Sequence, residues 1–333
     1  MQNITVLSGG HGGARFLRGL LHGITHRTLP GVAADARVTV VANTADDLWW
    51  HGLKVCPDLD TVMYTLGDGL DTERGWGRRE ESWQVLDELK AYGVEPTWFG
   101  LGDRDLATHL VRTEMLEAGY PLSAVTAALC RRWNPGVDLL PMTDDRVETH
   151  VVVADPDEPS GRRAVHFQEY WVRMGARVPA EQLVYVGLDS ATPAPGVLDA
   201  LTGADLVLLP PSNPVVSIGT ILGVPGVSEA LRATPAPVVG LSPIIAGAHV
   251  RGMAEQVLAA EGIEVSAAAV GLHLGARSTG GVLDGWLVDT ADAAALERLT
   301  TGGLRASAVP LWMHDDAATA AMAAAAIELV TGA

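Results

Sequence analysis

The sequence that decides the fold is the stretch ITVLSGGHGGAR, residues 4–15. It opens with a short apolar run without alternation, which is typical of a strand buried on both faces. Four glycines follow at once: Gly9, Gly10, Gly12 and Gly13. Residues 14–24 then have the apolar spacing of a helix. The stretch therefore predicts a strand, a tight turn and a helix, which form the first unit of an open α/β sheet.

The same order of strand, turn and helix recurs along the chain. Further apolar runs span residues 38–42, 150–153, 183–186, 206–209, 238–241 and 285–288. Helical patterns lie at residues 197–202, 227–233, 250–260 and 316–330. We predict one α/β domain over residues 1–333 with a Rossmann-like, open, mostly parallel sheet. Residues 61–133 show several helices and no convincing strand, so they predict a helical insertion.

Composition limits the kinds of partner. The 333 residues include 40 acidic and 23 basic side chains, and the net charge of −17 disfavours binding to nucleic acid or to an anionic membrane. The most apolar long stretch, residues 206–227, is interrupted by four prolines, so no membrane span is expected. Two cysteines are too few for a disulfide framework, and no secretory leader is visible. These features predict a cytoplasmic protein that binds small molecules.

The glycine turn is a candidate phosphate site. Glycines between a strand and a helix let backbone N–H groups approach a phosphate, and the helix N-terminus adds partial positive charge. The spacing matches neither the GxGxxG fingerprint nor a P-loop. The alternative is that the glycines only make a tight corner.

Two acidic clusters follow the second predicted strand. They are NTADD, residues 43–47, and PDLDT, residues 57–61. Several carboxylates without histidine or cysteine partners suit Mg²⁺, which usually takes one or two protein carboxylates and completes its shell with water and substrate phosphate. The alternative for Asp46 and Asp58 is that they cap helix N-termini.

Two further loops carry polar groups. In GDRDLATH, residues 102–109, Arg104 stands between two acids at a helix start, where it would form a clamp for a phosphate or a flat ring. Alternatively, Asp105 caps the helix and Asp103 pairs with Arg104. The loop SNPVVSIG, residues 212–219, follows a predicted strand and either binds a base or phosphate or is only a turn.

Other catalytic patterns are missing from the sequence. The ten histidines show no close metal spacing, and no serine lies in a GxSxG context, which disfavours zinc and triad hydrolysis. Nine tryptophans are unusual beside three phenylalanines. Four of them flank the acidic loops, as core residues or as walls for a flat ligand: Trp49, Trp50, Trp76 and Trp98.

Taken together, these motifs resemble one family. The matching segments run in family order from residue 4 to beyond residue 310: SGGHGGARF, NTADDLW, CPDLDT, WGRR, LGDRDLATH, LPMTDDRVETH, HFQEYW, PPSNPVVSIGTIL and LSPIIAG. They are similar to the 2-phospho-L-lactate transferases, called phosphoenolpyruvate transferases in their bacterial branch. The resemblance implies a magnesium-dependent homodimer that makes a precursor of coenzyme F(420). The enzyme would transfer a phosphorylated three-carbon acid from a guanosine diphosphate adduct to the ribityl hydroxyl of the deazaflavin Fo, and GMP would leave.

The resemblance also implies roles for individual residues. Asp60 and Arg104 match catalytic positions that contact Fo, with His109 beside them. Asp47 and Asp60 are the implied magnesium ligands. The implied nucleotide positions are Ser212, Asn213 and Ser217. The glycine turn itself adds the candidate phosphate positions Gly9, Gly10, Gly12 and Gly13. Whether a carboxylate accepts the hydroxyl proton stays open.

Alternatives remain at this point. Phosphoenolpyruvyl, 2-phospho-L-lactyl and 3-phosphoglyceryl donors differ by a few atoms that no motif addresses. The chain has 21 arginines but only two lysines and is rich in alanine, which indicates a GC-rich genome and favours the bacterial donor. A regulatory nucleotide-sugar-binding protein of the same fold is an alternative from another class, although it is not expected to combine PDLDT with GDRDLATH. A Rossmann dehydrogenase is disfavoured because its fingerprint is missing.

Overall fold

The centre of the protein is a seven-stranded parallel sheet with helices on both faces. The computed structural model describes residues 1–250 and 254–332. Its strands are β1 (Asn3–Ser8), β2 (Arg37–Ala42), β3 (Leu48–Trp50), β4 (Leu53–Val55), β5 (Asp138–Pro141), β6 (Glu148–Ala154), β7 (Arg162–His166), β8 (Gln182–Val186), β9 (Leu206–Leu209), β10 (Val238–Leu241), β11 (Ile244–Ile245), β12 (Ala248–His249), β13 (Gly285–Val288) and β14 (Arg305–Ala308). The order in the main sheet is β14-β13-β10-β9-β1-β2-β5, and each neighbouring pair is parallel.

The α-helices connect these strands and cover the sheet. They are α1 (His11–Thr25), α2 (Pro57–Leu66), α3 (Gln84–Ala91), α4 (Asp103–Glu117), α5 (Leu122–Trp133), α6 (Val197–Thr202), α7 (Ile218–Gly223), α8 (Val227–Ala233), α9 (Ala254–Ala260), α10 (Ala267–Leu274), α11 (Leu296–Thr301) and α12 (Asp316–Thr331). Among the described residues, no helix is long and apolar enough to span a bilayer.

Both faces of the sheet are buried, which is why its strands read as continuous apolar runs. Val6 and Leu208 point to the face covered by α1, α2 and α12. Leu7 and Leu209 point to the opposite face, which packs against α6, α7, α8 and α10. The two faces form two separate apolar clusters, one on each side of the sheet.

The sheet changes direction between β1 and β9. From β1 the chain continues outward to β2 and β5, and from β9 it continues the other way to β10, β13 and β14. The loops after β1 and β9 therefore diverge, and a crevice opens between them at the carboxyl ends of the strands. The glycine turn and the loop of residues 210–217 lie at this switch point.

The predicted fold class is confirmed, and the sheet differs from the prediction in particular strands. The apolar runs at residues 150–153 and 183–186 were expected in the parallel sheet, which is wrong: they belong to an antiparallel sheet of order β7-β6-β8. Burial alternates along β6, because only one of its faces packs inward. The edge strands β5 (DLLP) and β14 (RASA) were not predicted, because neither contains a β-branched run.

The region between β2 and β5 contains the predicted helices. α2, α3, α4 and α5 lie there, preceded by the small β3–β4 hairpin. α2 begins at Pro57, so Asp58 and Asp60 both lie in its first turn. The helix predicted over residues 250–260 is present as α9, and residues 251–253 of that prediction lie outside the described residues.

Candidate active site

A deep cleft of about 940 Å³ opens at the switch point. Its walls are the glycine turn, α2, the start of α4 and four segments at residues 75–77, 99–101, 211–217 and 311–314. The cleft lies where parallel sheets of this type bind their ligands. Of the predicted residues, it is lined by Gly10, Gly12, Asp60, His109, Ser212, Asn213 and Ser217.

The four glycines of the turn differ in their position relative to the cleft. Gly9 and Gly13 do not line the cleft, and a Cβ on Gly13 would collide with Ser8 Oγ. The Gly9 N–H donates to Ser212 Oγ (3.1 Å), which joins the turn to the loop after β9. Gly10 and Gly12 face the cleft at the N-terminus of α1. All four glycines serve close packing, since a Cβ on Gly10 would collide with the Asp58 carboxylate and one on Gly12 with the Pro211 carbonyl oxygen. Gly10 and Gly12 also face the cleft at the helix N-terminus, where a ligand could approach.

Asn213 shapes the loop after β9. Its Oδ1 accepts hydrogen bonds from the backbone N–H groups of Val215 (3.0 Å) and Val216 (3.1 Å). This Asx-type turn directs the polar groups of Ser212 and Ser217 to the same wall of the cleft.

A pair of buried carboxylates lies beside the glycine turn. The amide Nδ2 of Asn43 donates to Asp46 Oδ1 (2.7 Å) and to Asp58 Oδ2 (3.0 Å). Gln168 Nε2 donates to the other oxygen of Asp46 (3.1 Å). Both carboxylates line the cleft. The capping alternative does not hold for Asp58, because the N-cap of α2 is Cys56 and Asp58 lies inside the helix.

The two carboxylates are costly to ionise together. Burial, followed by the negative charge of Asp58, raises the pKa of Asp46 well above its usual range. Burial also raises the pKa of Asp58 to about 7, although the hydrogen bond from Asn43 opposes this rise. A cation bound between the carboxylates would remove the mutual repulsion, so this pair has the chemistry of a Mg²⁺ site.

The predicted ligands Asp47 and Asp60 each face a cation of the protein. Asp47 Oδ2 lies 3.4 Å from Lys54 Nζ, and Asp47 is not part of the cleft wall. Asp60 lines the cleft and forms a two-pronged ion pair with Arg112. Within the described part of the chain, no three His, Cys, Asp or Glu side chains are grouped as metal ligands. A hard cation here would therefore rely on two carboxylates, with substrate and water completing its shell.

A buried polar chain runs from Asp60 through α4. Arg112 Nη1 donates to His109 Nδ1 (3.0 Å), and His109 Nε2 lies 3.3 Å from Asp105 Oδ2. Tyr64 Oη donates to the other oxygen of Asp105 (2.6 Å). Burial alone would raise the pKa of Asp105, but its contact with His109, the hydrogen bond from Tyr64 and the positive charge of Arg112 hold that pKa below its usual value. The side chains at positions 105, 109 and 112 share one face of α4.

Arg104 lies outside this cleft. Its guanidinium contributes to a smaller pocket and pairs with Glu80 (3.1 Å). Asp103 accepts from Ser82 Oγ (2.7 Å) and from two backbone N–H groups at the start of α3, and Asp105 points inward. Successive helical residues point about 100° apart, so the expected clamp of Arg104 between its flanking acids does not form. The role of Arg104 at the acceptor stays a prediction that this placement does not favour.

The aromatic walls are partly those that the sequence suggested. Trp76 lines the cleft, together with Phe99, Trp171 and Trp312, which the sequence did not single out. Trp49, Trp50 and Trp98 do not line it; Trp50 is buried against Trp98, with ring centroids 4.7 Å apart. Asn43, Gln168 and Arg112 were also missed as site residues. For Arg112 a signal existed, because it lies three residues after His109 and seven after Asp105 on one helix face.

Comparison with known proteins places the chain in a family. A family model described as 2-phospho-L-lactate transferase CofD matches residues 4–329. The chain belongs to this family. A Streptomyces griseus protein named phosphoenolpyruvate transferase is 61% identical over 326 residues, which cover 98% of each chain. One of the same name from Mycobacterium sp. (strain JLS) is 56% identical over 336 residues, again 98% of each. The chain is accordingly an enzyme of the transferase class.

Solved structures agree on the fold. A Bacillus halodurans protein of the UPF0052 family matches with a TM-score of 0.59 over 98% of this chain and all of its own. At 18% identity this match concerns the architecture alone.

The raised pKa of Asp58 predicts a pH-dependent stability difference. The folded state binds the proton of Asp58 more tightly than the unfolded chain, so the contribution of Asp58 to stability declines as pH rises from about 4 to about 7. Asp58→Asn removes this decline. The free energy of unfolding of the variant minus that of wild type should therefore be larger at pH 8 than at pH 5, by about 1–3 kcal/mol. Urea unfolding in EDTA at both pH values measures the difference.

The control is Asp138→Asn, at an exposed position. Its free energy of unfolding minus that of wild type should change by less than about 0.5 kcal/mol between the two pH values. If the stability difference between Asp58→Asn and wild type changes equally little with pH, the raised pKa of Asp58 is contradicted.

Proposed function

We propose that the protein transfers the phosphoenolpyruvyl group of enolpyruvyl-diphospho-guanosine to the ribityl hydroxyl of Fo, giving dehydro-coenzyme F(420)-0 and GMP. As a family member, the chain is a transferase of coenzyme F(420) biosynthesis. The names of relatives at 56–61% identity support this donor. The observation that carries the proposal is one cleft with a phosphate-type glycine turn and paired carboxylates on one side and an aromatic wall with Asp60 on the other.

The donor is proposed to bind on the side of the glycine turn. The diphosphate would accept hydrogen bonds from N–H groups at the start of α1, where Gly10 and Gly12 leave the backbone accessible. The guanosine would lie along the loop containing Ser212, Asn213 and Ser217. The hydrogen bond from Gly9 N to Ser212 Oγ holds the glycine turn and this loop next to each other.

The acceptor is proposed to bind on the opposite side. Trp76 and Phe99 offer flat apolar surface for the deazaflavin ring, since aromatic walls bury flat rings well. Asp60 and His109 are buried residues of the same cleft wall, and the ribityl chain is proposed to extend along them toward the donor. In this arrangement Asp60 faces the hydroxyl that reacts.

Magnesium is proposed to bind Asp46 and Asp58 instead of Asp47 and Asp60. Asp46 and Asp58 line the cleft and share the Asn43 amide, whereas the other two carboxylates are engaged by Lys54 and Arg112. When bound, Mg²⁺ would neutralise charge on the donor phosphates. A homodimer and a cytoplasmic location, both expected from the resemblance and the composition, remain proposals.

The chain's own contribution to the reaction is mainly positioning. The hydroxyl oxygen attacks the phosphorus of the phosphoenolpyruvyl group, and the bond from this phosphorus to the GMP oxygen breaks. GMP leaves with that electron pair, and the hydroxyl proton is released to solvent. Holding the two substrates in line supplies much of the rate, because the reaction then becomes effectively unimolecular. Backbone N–H groups at α1 stabilise charge on the phosphate, and Asp60 accepts the hydrogen bond of the attacking hydroxyl.

The direct test is product analysis. Purified protein is mixed with Mg²⁺, Fo and each guanosine adduct in turn: phosphoenolpyruvyl, 2-phospho-L-lactyl or 3-phosphoglyceryl. Mass spectrometry should show dehydro-coenzyme F(420)-0 and an equal amount of GMP with the first adduct, formed at least about tenfold faster than the other products. Faster turnover of another adduct would correct the donor. Nucleotide binding without any product would favour the regulatory alternative.

The metal assignment predicts different effects for neighbouring acids. EDTA should abolish turnover. Asp58→Asn should raise the Mg²⁺ concentration for half-maximal activity by about tenfold or more, because one of two carboxylate ligands is lost. Asp47→Asn should leave that concentration within about twofold of wild type. Titration with Mn²⁺ by electron paramagnetic resonance measures the same affinities without turnover, and the reverse pattern would restore Asp47 as a ligand.

The acceptor assignment is tested by a matched pair of tryptophans. Trp76 and Trp49 are 49% and 48% exposed, but only Trp76 lines the cleft. Trp76→Ala should weaken Fo binding by about 1–3 kcal/mol, the usual range for stacking of a flat base on an aromatic ring. Trp49→Ala should change it by less than about 0.5 kcal/mol. Calorimetry with Fo decides, and equal effects of the two substitutions would place the ring elsewhere.

A further inference from the structure

Arg112 is a cation enclosed by the protein beside the cleft. It is 1% exposed, and it lies on α4 behind Asp60, which separates it from the ligand space. Its two terminal nitrogens contact the two carboxylate oxygens of Asp60. Nη1 also contacts His109 Nδ1 (3.0 Å) and the Lys54 carbonyl oxygen (3.3 Å). The guanidinium thus has no direct access to a substrate.

The two acids in the first turn of α2 point in different directions. Asp58 faces Asn43 and the backbone N–H of Gly10 on the donor side. Asp60, two residues later, faces Arg112. Both line the same cleft. One carboxylate is therefore available to a cation, and the other is oriented by an arginine.

We propose that Arg112 is a positioning residue that acts through Asp60, holding its carboxylate in the orientation that receives the acceptor hydroxyl. The inference rests on the proposed function. A guanidinium fork fixes both oxygens of a carboxylate in one plane and uses one lone-pair direction of each. The remaining directions are not used by Arg112, and Asp60 lines the cleft.

His109 completes this arrangement. A guanidinium only donates, so the His109 Nδ1 that receives Arg112 Nη1 carries no proton in this contact. The ring proton then lies on Nε2, on the side of Asp105. His109 Nδ1 and Asp60 Oδ2 are 3.8 Å apart, beyond hydrogen-bond distance. The histidine therefore holds the guanidinium in place and does not compete for the Asp60 oxygens.

Stability alone does not account for this pair. Burying a guanidinium and a carboxylate costs desolvation energy that the ion pair does little more than offset, so a buried ion pair is weak evidence for a stabilising role. The chain contains a second two-pronged pair away from the cleft. Arg277 contacts Asp284 just before β13, at the amino edge of the sheet. This pair is less buried, with side chains 19% and 27% exposed against 2% and 7% for Arg112 and Asp60, and it serves as a control for the loss of a guanidinium fork.

The experiment compares Arg112→Lys with Arg277→Lys. Each keeps the charge and removes the fork, so both should lower the thermal unfolding midpoint. Only Arg112→Lys should lower kcat for transfer to Fo, by about 10- to 100-fold. It should leave the KM of the guanosine adduct and the affinity for GDP within about twofold of wild type. Arg277→Lys should keep the kcat of wild type.

A double-mutant cycle tests whether Arg112 acts through Asp60. In the Asp60→Asn background, Arg112→Lys should lower kcat by less than about twofold, because the group that it orients is already lost. If Arg112→Lys does not fold, the double variant Asp60→Asn/Arg112→Met takes its place, because it buries no unpaired charge. Its kcat should match that of Asp60→Asn. For Arg112→Ala, added guanidinium ion should restore part of the lost kcat.

The outcomes distinguish a failure of the role proposed for Arg112 from a failure of the proposed function. If wild type transfers the group to Fo and Arg112→Lys matches it in kcat, the inference fails and the proposed function stands. Equal losses in the wild-type and Asp60→Asn backgrounds, or a raised KM for the guanosine adduct, also overturn it. If wild type forms no product with any adduct, the proposed function fails and takes the inference with it.

Discussion

The amide of Asn43 is the interaction on which the cleft depends. Its Nδ2 donates to Asp46 and Asp58, and its Oδ1 accepts from Ala45 N (2.9 Å) and Thr220 Oγ1 (2.8 Å). These four contacts join the end of β2 to the start of α2 and to α7. Without the amide, two buried carboxylates would face each other with little compensation. A single side chain thus makes it possible to keep two acids together at the switch point.

The sheet topology explains why the other parts meet there. The loops after β1 and β9 diverge because the chain runs outward in opposite directions from these two strands. The absence of a side chain at Gly9 and Gly13 allows Ser212 and Ser217 to pack against the turn. The same close packing leaves Gly10 and Gly12 at the cleft wall, so one motif both makes a tight corner and forms part of the cleft surface.

Charge is distributed around the cleft in a regular way. Asp47 faces Lys54 and Asp60 faces Arg112, whereas Asp46 and Asp58 accept hydrogen bonds from amides and a backbone N–H and lie near other carboxylates. Acids that already have a basic partner gain little from a metal ion, and acids that repel each other gain most. Neighbouring carboxylates in one short segment therefore differ in their tendency to bind a cation, because their partners differ.

The sequence by itself determined the parallel sheet, the glycine turn, the family and most of the segments that line the cleft, because these follow from local runs and from motifs in a fixed order. It also named Asp60, His109, Ser212 and Asn213, which line the cleft in the structure. Only the tertiary structure decided that Asp46 and Asp58 share Asn43, that Arg104 turns away while Arg112 turns inward, and that Trp76 lines the cleft while Trp49 does not. Adjacent residues on a helix or strand point in different directions, and their partners come from distant parts of the chain, so spacing along the sequence does not distinguish between them.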